Sequence, residues 1–315
     1  MNKKIAFISE LGFNGKIGRD HRHMRTEYAQ FCALGADHYN VYGINNIEKT
    51  DYDHVILLIS KTPKLREDLY EINLVEKARR IGKKIWWMQE STTWIYQDKP
   101  LHLQIWHYNT ISDCDAILSE NDTDWSYYKG HWPDKPVHTI PTLMIEDTLL
   151  GAREVEREDK TMMGGNFVSW YGGFDSYMIS RLFENPIYQP SMRSIDGEDQ
   201  LVNVLPHMQF VDWIYKLAEF KYAVHLMPSI TAGTFVLNCA FLGVPCIGYA
   251  KSDPQRLCHP SLGIEHYDME TARKLAIRLR DDTDFYNKCS KEATDNHNKY
   301  FGEKVFLNKM EKILC

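Results

Sequence analysis

Residues 223–248 read AVHLMPSITAGTFVLNCAFLGVPCIG, and this stretch decides the fold. It starts within an apolar run, residues 222–227, that is typical of a buried strand, and a short polar loop follows. Residues 234–242 form an apolar helical stretch that Gly243 ends, and residues 245–249 begin another strand. A strand, a loop, a helix and a strand in this order predict a parallel α/β unit, in which ligands bind beyond the carboxyl ends of the strands.

The same alternation of apolar runs and amphipathic stretches continues along all 315 residues, a length that favours two domains of about 150 residues each. We predict strands at residues 4–9, 54–60, 84–89, 116–119, 137–140, 161–163, 192–195, 222–227, 245–249 and 263–266. We predict helices at residues 69–80, 174–183, 208–220 and 234–242, and a charged helical tail from residue 271 with a turn at residues 281–284. The sequence therefore predicts an α/β fold of two Rossmann-like domains, residues 1–145 and 146–300, facing a central cleft. A C-terminal helix at residues 301–315 is expected to pack back on the first domain.

The composition is that of an ordinary globular protein, with 43% hydrophobic and 12% aromatic residues. A formal net charge of −6 gives no overall attraction to nucleic acid, although it is compatible with a local basic surface. No apolar run is long enough for a signal sequence or a membrane span, and the seven cysteines form no C-x-x-C pair. We therefore expect a cytoplasmic protein with reduced cysteines and no membrane span.

The loop before the helix at residues 234–242 is the first candidate binding site. Thr231, Gly233 and Thr234 offer backbone N–H groups and hydroxyls at a helix N-terminus, where the helix dipole favours an anion such as a diphosphate. His225 lies at the end of the preceding strand and belongs to the same candidate site. The alternative is a simply capped helix, as in any α/β protein, and the local pattern does not decide between the two.

A glycine-rich loop, MGGNFVSWYGG at residues 163–173, follows the first strand of the second domain. Paired glycines let the backbone approach a ligand closely, and the next helix points its N-terminus at the same edge of the sheet. Gly164, Gly165 and Asn166 are therefore predicted to bind the same ligand.

Residues 10–25, ELGFNGKIGRDHRHMR, form the most basic stretch of this acidic chain. Their glycines lack the G-x-G-x-x-G spacing, which argues against a NAD site. We predict that this part of the chain binds an anion, either an anionic acceptor substrate or the diphosphate group of a donor substrate. The predicted residues are Gly15, Lys16, Arg19 and Arg22, together with the cations of residues 61–66. A solvated rim that binds nothing is the alternative.

Glu90 directly follows the strand at residues 84–89, at the edge of the sheet where ligands bind and where a carboxylate can take a proton from a bound hydroxyl. Glu90 is the first candidate base, Asp98 the second, and Asp20 or His21 the third. A salt-bridged structural glutamate is the alternative for Glu90. Trp94 can stack on a base or a sugar, although tryptophans near a domain boundary more often belong to the core.

One pattern typical of metal sites is present, and we discount it. Residues 113–115, Asp-Cys-Asp, match a D-x-D motif, but they precede an apolar strand instead of following one. The histidines show no recognisable zinc spacing. No metal is therefore predicted.

The order of elements at residues 223–248 resembles the donor-binding half of the GT-B glycosyltransferases. The Gly-Gly-x-Phe segment at residues 164–167 resembles a segment of the DNA β-glucosyltransferases of T-even phages. The resemblance implies a nucleotide-sugar donor, a UDP-sugar first, bound by the second domain. Asn238 stands where many members carry a glutamate that binds the donor ribose. Val168, Trp170 and Tyr171 stand where the phage enzymes carry arginines, so the phosphate contacts must come from elsewhere.

The resemblance further implies a hydroxyl acceptor, first a 5-hydroxymethylpyrimidine in double-stranded phage DNA that is flipped into the cleft, and hence an enzyme of the host cytoplasm. Three alternatives stay open: a glycosyltransferase acting on a polysaccharide or small molecule, a GT-B-like sugar-nucleotide epimerase, and a nucleotide sensor without activity. The stereochemistry is also open. Direct displacement requires a base such as Glu90, and retention is the outcome if no base stands there.

Overall fold

The structure is a computed structural model that describes residues 3–10, 14–24, 26–47, 51–58, 73–89, 92–97, 99–191 and 195–315. Contacts divide the chain into two compact units. Unit 1 comprises Met1–Arg19, Thr26–Leu143 and Glu303–Cys315, and unit 2 comprises Asp20–Arg25 and Met144–Gly302. Among the helices of these residues, none is long and apolar enough to cross a membrane.

Unit 1 contains a six-stranded sheet in which all neighbouring strands are parallel. Its strands are β1 Ile5–Ser9, β2 Asp37–Asn40, β3 Tyr52–Leu58, β4 Gly82–Met88, β5 Ala116–Ser119 and β6 Val137–Thr139. The strand order is β2-β1-β3-β4-β5-β6. Every residue of β1 and β5 is buried, as expected for parallel strands covered on both faces, and this burial explains why they read as continuous apolar runs.

The described residues of unit 1 form the helices α1 Thr26–Leu34, α2 Leu74–Arg79, α3 Leu101–Asp113, α4 Asp122–His131 and α11 Glu303–Leu314. The C-terminal helix α11 buries Phe306, Met310 and Leu314, which are spaced four residues apart and share one face. The carbonyl oxygen of Leu314 lies 2.9 Å from Nε2 of the buried His54. These contacts attach α11 to the sheet of unit 1.

Unit 2 contains a second parallel sheet of six strands. They are β7 Glu158–Met163, β8 Ile187–Gln189, β9 Asn203–Val204, β10 Phe220–His225, β11 Cys246–Tyr249 and β12 Gly263–Ile264. The order β12-β11-β10-β7-β8-β9 is the doubly wound arrangement of Rossmann folds, in which the chain changes direction between the first and fourth strands. In unit 2 this change of direction lies between β7 and β10.

The helices of unit 2 are α5 Gly173–Ser180, α6 Phe210–Ala218, α7 Thr234–Leu242, α8 Asp253–Cys258, α9 Met269–Asp281 and α10 Thr283–Tyr300. Helix α7 is buried continuously from its third residue onward, which explains its apolar sequence. Helix α10 starts after Asp282, whose side chain accepts a hydrogen bond from the Phe285 amide at 2.9 Å. The turn predicted at residues 281–284 is thereby confirmed.

Several elements of the structure were not predicted from the sequence. They are strands β2, β8 and β9, which are short and carry little apolar periodicity, and helices α1, α3, α4 and α8. Of the strand predicted at residues 192–195, residues 192–194 lie outside the described residues, and Ile195 is not in a strand. Residues 69–72 of the helix predicted at residues 69–80 also lie outside them. Helix α2 follows Asn73, whose side chain accepts from the Glu76 amide at 2.9 Å.

Candidate functional site

The carboxyl ends of β7 and β10 lie side by side at the centre of the unit 2 sheet, with Met163 paired to Val224. The loops after these strands diverge, because β7 leads to β8 on one side and β10 leads to β11 on the other. Such a divergence leaves a crevice that is the usual ligand site of doubly wound sheets. The predicted donor-binding residues occupy these strand ends, their loops and α7: Gly164, Gly165, Asn166, His225, Thr231, Gly233, Thr234 and Asn238.

The paired glycines after β7 pack too closely against their neighbours to carry a side chain. A Cβ on Gly164 would lie 2.2 Å from Nδ1 of His225 and 2.7 Å from the Phe235 ring. A Cβ on Gly165 would lie 2.8 Å from Cβ of Tyr171. The Gly164 amide also donates to the Val224 carbonyl at 2.9 Å, which extends the β7–β10 pairing into the loop. Glycine is therefore required at these positions because side chains of the protein itself pack against the backbone there.

A buried carboxylate that the sequence did not indicate holds the same loop. Oε1 of Glu198 accepts from the Phe167 amide at 3.0 Å, and Oε2 accepts from the Gln189 side chain at 2.7 Å. Asn166 is 1% exposed, and its Oδ1 accepts weakly from the Val168 amide at 3.4 Å. Asn166 therefore shapes the loop from inside. Glu198 lies in a run of charged residues that reads as solvated, so no local signal marked its role.

The N-terminus of α7 is formed by glycine and hydroxyl groups. Gly233, with a φ of +71°, precedes the helix, and no side chain caps it. Thr231 Oγ1 accepts from the Gly233 amide at 3.4 Å. A Cβ on Gly233 would lie 2.6 Å from Oγ of Ser252, which is buried and has no partner among the described residues. The helix dipole and these polar groups together favour an anion at this end of the crevice.

Asn238 is 2% exposed, and its amide bonds lie inside unit 2. In the orientation that satisfies both amide atoms, Nδ2 donates to the Thr234 carbonyl at 3.0 Å, and Oδ1 accepts from Nε1 of Trp213 at 3.1 Å. Trp213 belongs to α6 and was not predicted to take part in the site. A contact between Asn238 and a donor ribose stays a prediction, and it would require the amide to exchange one of these partners.

The two leading candidates for a catalytic base, Glu90 and Asp98, lie outside the described residues. The end of β4 just before Glu90 is fixed by a buried network. Oε1 of Gln89 accepts from the Tyr128 hydroxyl at 3.0 Å and lies 3.2 Å from Nε2 of His107. Burial lowers the pKa of His107 to about 3, so its ring is neutral. Trp94 is half-buried in a short 3₁₀ helix, Thr93–Tyr96.

The acceptor-binding residues predicted in the N-terminal loop of unit 1 have different surroundings. Gly15 forms a bridge to His38 through two backbone hydrogen bonds of 2.8 and 2.9 Å and has a φ of +102°. Lys16 is exposed. Arg19 forms a bidentate ion pair with Glu303 at the start of α11, with both N–O distances at 2.8 Å. Arg19 therefore anchors the C-terminal helix.

The predicted acceptor residue Arg22 and the candidate bases Asp20 and His21 lie in unit 2, although the sequence assigned them to the first domain. Asp20 and His21 are exposed. The Arg22 guanidinium forms an ion pair with Asp212. The backbone carbonyl of Arg22 accepts a hydrogen bond from the Val211 amide at 3.2 Å. These bonds attach Arg22 to the first turn of α6. Contacts between residues so far apart in the sequence leave no local pattern by which they could be predicted.

The D-x-D pattern at residues 113–115 has a structural role. Asp115 accepts two hydrogen bonds from Arg79, at 3.0 and 2.9 Å, and one from the Ile85 amide at 2.7 Å. Within the described ranges, no group of three or more His, Cys, Asp or Glu side chains is arranged to hold a metal ion.

No protein-family profile and no curated protein sequence matches the chain. Solved structures do match it along nearly its whole length. An α-glucosyltransferase in complex with UDP is 10% identical, with a TM-score of 0.69 over 99% of this chain and 100% of that one. The α-glucosyltransferase bound to UDP and a 13-mer DNA containing an HMU base is 11% identical, with a TM-score of 0.67 over 99% of each chain. Anabaena Alr3699/HepE in complex with UDP and glucose is 9% identical, with a TM-score of 0.69 over 99% of each chain.

These similarities confirm the predicted fold class, an α/β fold with two Rossmann-like sheets that matches GT-B glycosyltransferase structures. The DNA-bound structures among them are α-glucosyltransferases, whereas the motif resemblance was to β-glucosyltransferases. At identities near 10% the likeness concerns the fold. The chain therefore has the GT-B glycosyltransferase fold.

Proposed function

We propose that this protein is a glycosyltransferase that binds a nucleoside diphosphate sugar, a UDP-sugar first, at the crevice of unit 2. The observation that carries the proposal is the convergence at the β7 and β10 ends: closely packed glycines, His225, and a helix N-terminus that no side chain caps. The similar structures support it, since the α-glucosyltransferase and HepE are both in complex with UDP. Gly165, Thr231, Gly233 and Thr234 are the proposed contacts of the diphosphate.

For the acceptor we propose the hydroxyl of a 5-hydroxymethylpyrimidine in double-stranded DNA. The support is the α-glucosyltransferase complex with DNA containing an HMU base, which is similar over 99% of both chains. A base in a duplex must be flipped out to reach a transferase site. Gly15, Lys16, Arg22 and Trp94 remain the proposed acceptor contacts. Arg19 is the weakest of the original candidates, because its guanidinium is already paired with Glu303.

The proposed stereochemical outcome is retention. UDP-glucose is an α-linked donor, so an α-glucosyltransferase, the type named in the DNA-bound complexes, retains the configuration. Retention would remove the need for Glu90 as a general base, and inversion would require Glu90, Asp98 or Asp20 in that role. The anomeric proton coupling of the product distinguishes the two outcomes.

A second candidate is transfer to a saccharide, which the similarity to HepE in complex with UDP and glucose favours. The test is a panel of UDP-sugars incubated with DNA containing 5-hydroxymethylcytosine or 5-hydroxymethyluracil, unmodified DNA, oligosaccharides or buffer, with released UDP as the readout. We expect release only with modified DNA. Release only with oligosaccharides would replace the proposed acceptor, and UDP binding without release in any mixture would contradict a transferase.

A further inference from the structure

The two ring nitrogens of His225 have different surroundings. Nδ1 is buried and has no hydrogen-bond partner among the described residues. A Cβ on Gly164 would lie 2.2 Å from Nδ1 of His225. In glycine a hydrogen atom takes the position of the Cβ, so this hydrogen points at Nδ1. His225 as a residue is partly exposed, and Nε2 is not one of the buried atoms that lack a partner among the described residues. Nδ1 is therefore closed to a ligand, and Nε2 is the ring nitrogen that remains for one.

This asymmetry selects one form of the ring. A neutral imidazole carries a proton on one nitrogen and a lone pair on the other. A buried N–H without an acceptor is rare and costly, and a proton on Nδ1 would also collide with the Gly164 hydrogen. The proton therefore lies on Nε2, and the bare Nδ1 receives the glycine C–H as a weak contact.

The ring is also neutral at physiological pH. Burial lowers the pKa of His225 from 6.5 to about 4, and it is the sole cause of the shift. The groups that face the residue are uncharged: Gly164 from the β7 loop, Phe235 from α7 and Gly248 from β11. The Phe235 ring, with its centroid 5.1 Å away, and Gly164 hold the imidazole between them.

The two loops that follow β7 and β10 contain no cation, whereas the loop after the neighbouring strand β11 contains Lys251. Residues 164–172 read GGNFVSWYG and residues 226–234 read LMPSITAGT, without a lysine or arginine. The contacts that these two loops and the start of α7 offer to an anion therefore come from neutral groups, such as the backbone amides at the start of α7. The Nε2–H of His225, at the end of β10, is a neutral side-chain donor of this kind.

We propose that His225 is a fixed neutral hydrogen-bond donor whose Nε2–H binds an oxygen of the donor diphosphate. This inference rests on the proposed function, and it assigns a specific contact to the neutral ring of His225. It predicts that UDP affinity does not change with His225 protonation between pH 8 and about pH 5, because the ring stays neutral over that range.

Two isosteric variants test the inference, since a glutamine amide nitrogen reaches the place of Nε2 and an asparagine amide nitrogen that of Nδ1. We expect His225→Gln to bind UDP within about threefold of the unchanged protein in calorimetric titrations. His225→Asn and His225→Leu should each bind at least about tenfold more weakly, the loss of one useful hydrogen bond. Circular dichroism and urea unfolding check that all three variants fold. Equal affinities of the Gln and Asn variants would overturn the inference.

The protonation state has its own readout, which needs no ligand. Nitrogen–proton NMR correlations of His225 should show a protonated Nε2 and a bare Nδ1, with no titration between pH 8 and about pH 5. A proton on Nδ1, or a midpoint near the ordinary value of 6.5, would contradict the inference. If the unchanged protein binds no UDP, the proposed function fails. If it binds UDP but the variants do not rank as expected, the inference alone fails.

Discussion

Replacing Gly172 by alanine is expected to lower the free energy of unfolding of unit 2 by about 3–5 kcal/mol. Gly172 has a φ of +62°, which costs any residue with a side chain about 1–2 kcal/mol. Its Cβ would in addition lie 1.9 Å from the carbonyl oxygen of Leu226 and 3.1 Å from Pro228. Backbone must then move, and the loops after β7 and β10 would separate. Urea unfolding followed by tryptophan fluorescence measures the loss.

Gly197→Ala is the matched control for this prediction. Gly197 also lies in unit 2 and has a positive φ of +88°, but a Cβ there would meet nothing closer than 4.0 Å. We expect the free energy of unfolding of this variant to fall only by the cost of the positive φ, about 1–2 kcal/mol. Similar losses in both variants would mean that the contact between Gly172 and Leu226 does not stabilise the crevice.

Replacing Gly164 by alanine is expected to weaken UDP binding by about tenfold or more, with a stability loss of about 1–3 kcal/mol. The new Cβ would collide with the rings of His225 and Phe235. The displaced Phe235 ring would in turn shift Trp213, whose ring centroid lies 6.3 Å from that of Phe235. The donors at the crevice would thereby lose their alignment. Isothermal titration with UDP measures the affinity, and circular dichroism checks that the variant is folded.

Gly130→Ala controls for the exchange of glycine for alanine itself. Gly130 lies in α4 of unit 1, and a Cβ there would meet nothing within 4 Å. Alanine should stabilise this helix by up to about 1 kcal/mol and leave UDP affinity unchanged. UDP binding by Gly164→Ala at the affinity of the unchanged protein would contradict the assignment of the β7 loop to the nucleotide.

Much of the fold could be predicted from the sequence, because buried parallel strands and α7 are continuous apolar runs with clear ends. The β10–α7–β11 segment was located closely, since His225, Gly243 and Pro245 mark its boundaries. Strand β8 was missed because a three-residue strand, Ile187–Gln189, carries almost no periodicity. Its place in the sheet depends on pairing with β7, which is decided by tertiary contacts.

The candidate site was predictable only in part. Its glycines were visible, because paired glycines after a strand are a local pattern. The residues that contact the site from distant segments were not visible, because no local pattern in the sequence marks them. They are Glu198, Trp213 and Ser252. Arg19 illustrates the converse: a cation in a basic loop suggested a ligand, while its partner Glu303 lies 284 residues away along the chain.

The central claim is that a nucleotide binds at the β7 and β10 ends of unit 2, and backbone hydrogen exchange with and without saturating UDP tests it most directly. The amides of residues 163–172 and 225–238 are predicted to gain protection, because these loops and the start of α7 would contact the diphosphate. Helices α9 and α10, farther along the chain, should show little change. Protection confined to unit 1 or to α9 and α10, with residues 163–172 and 225–238 unchanged, would contradict the account.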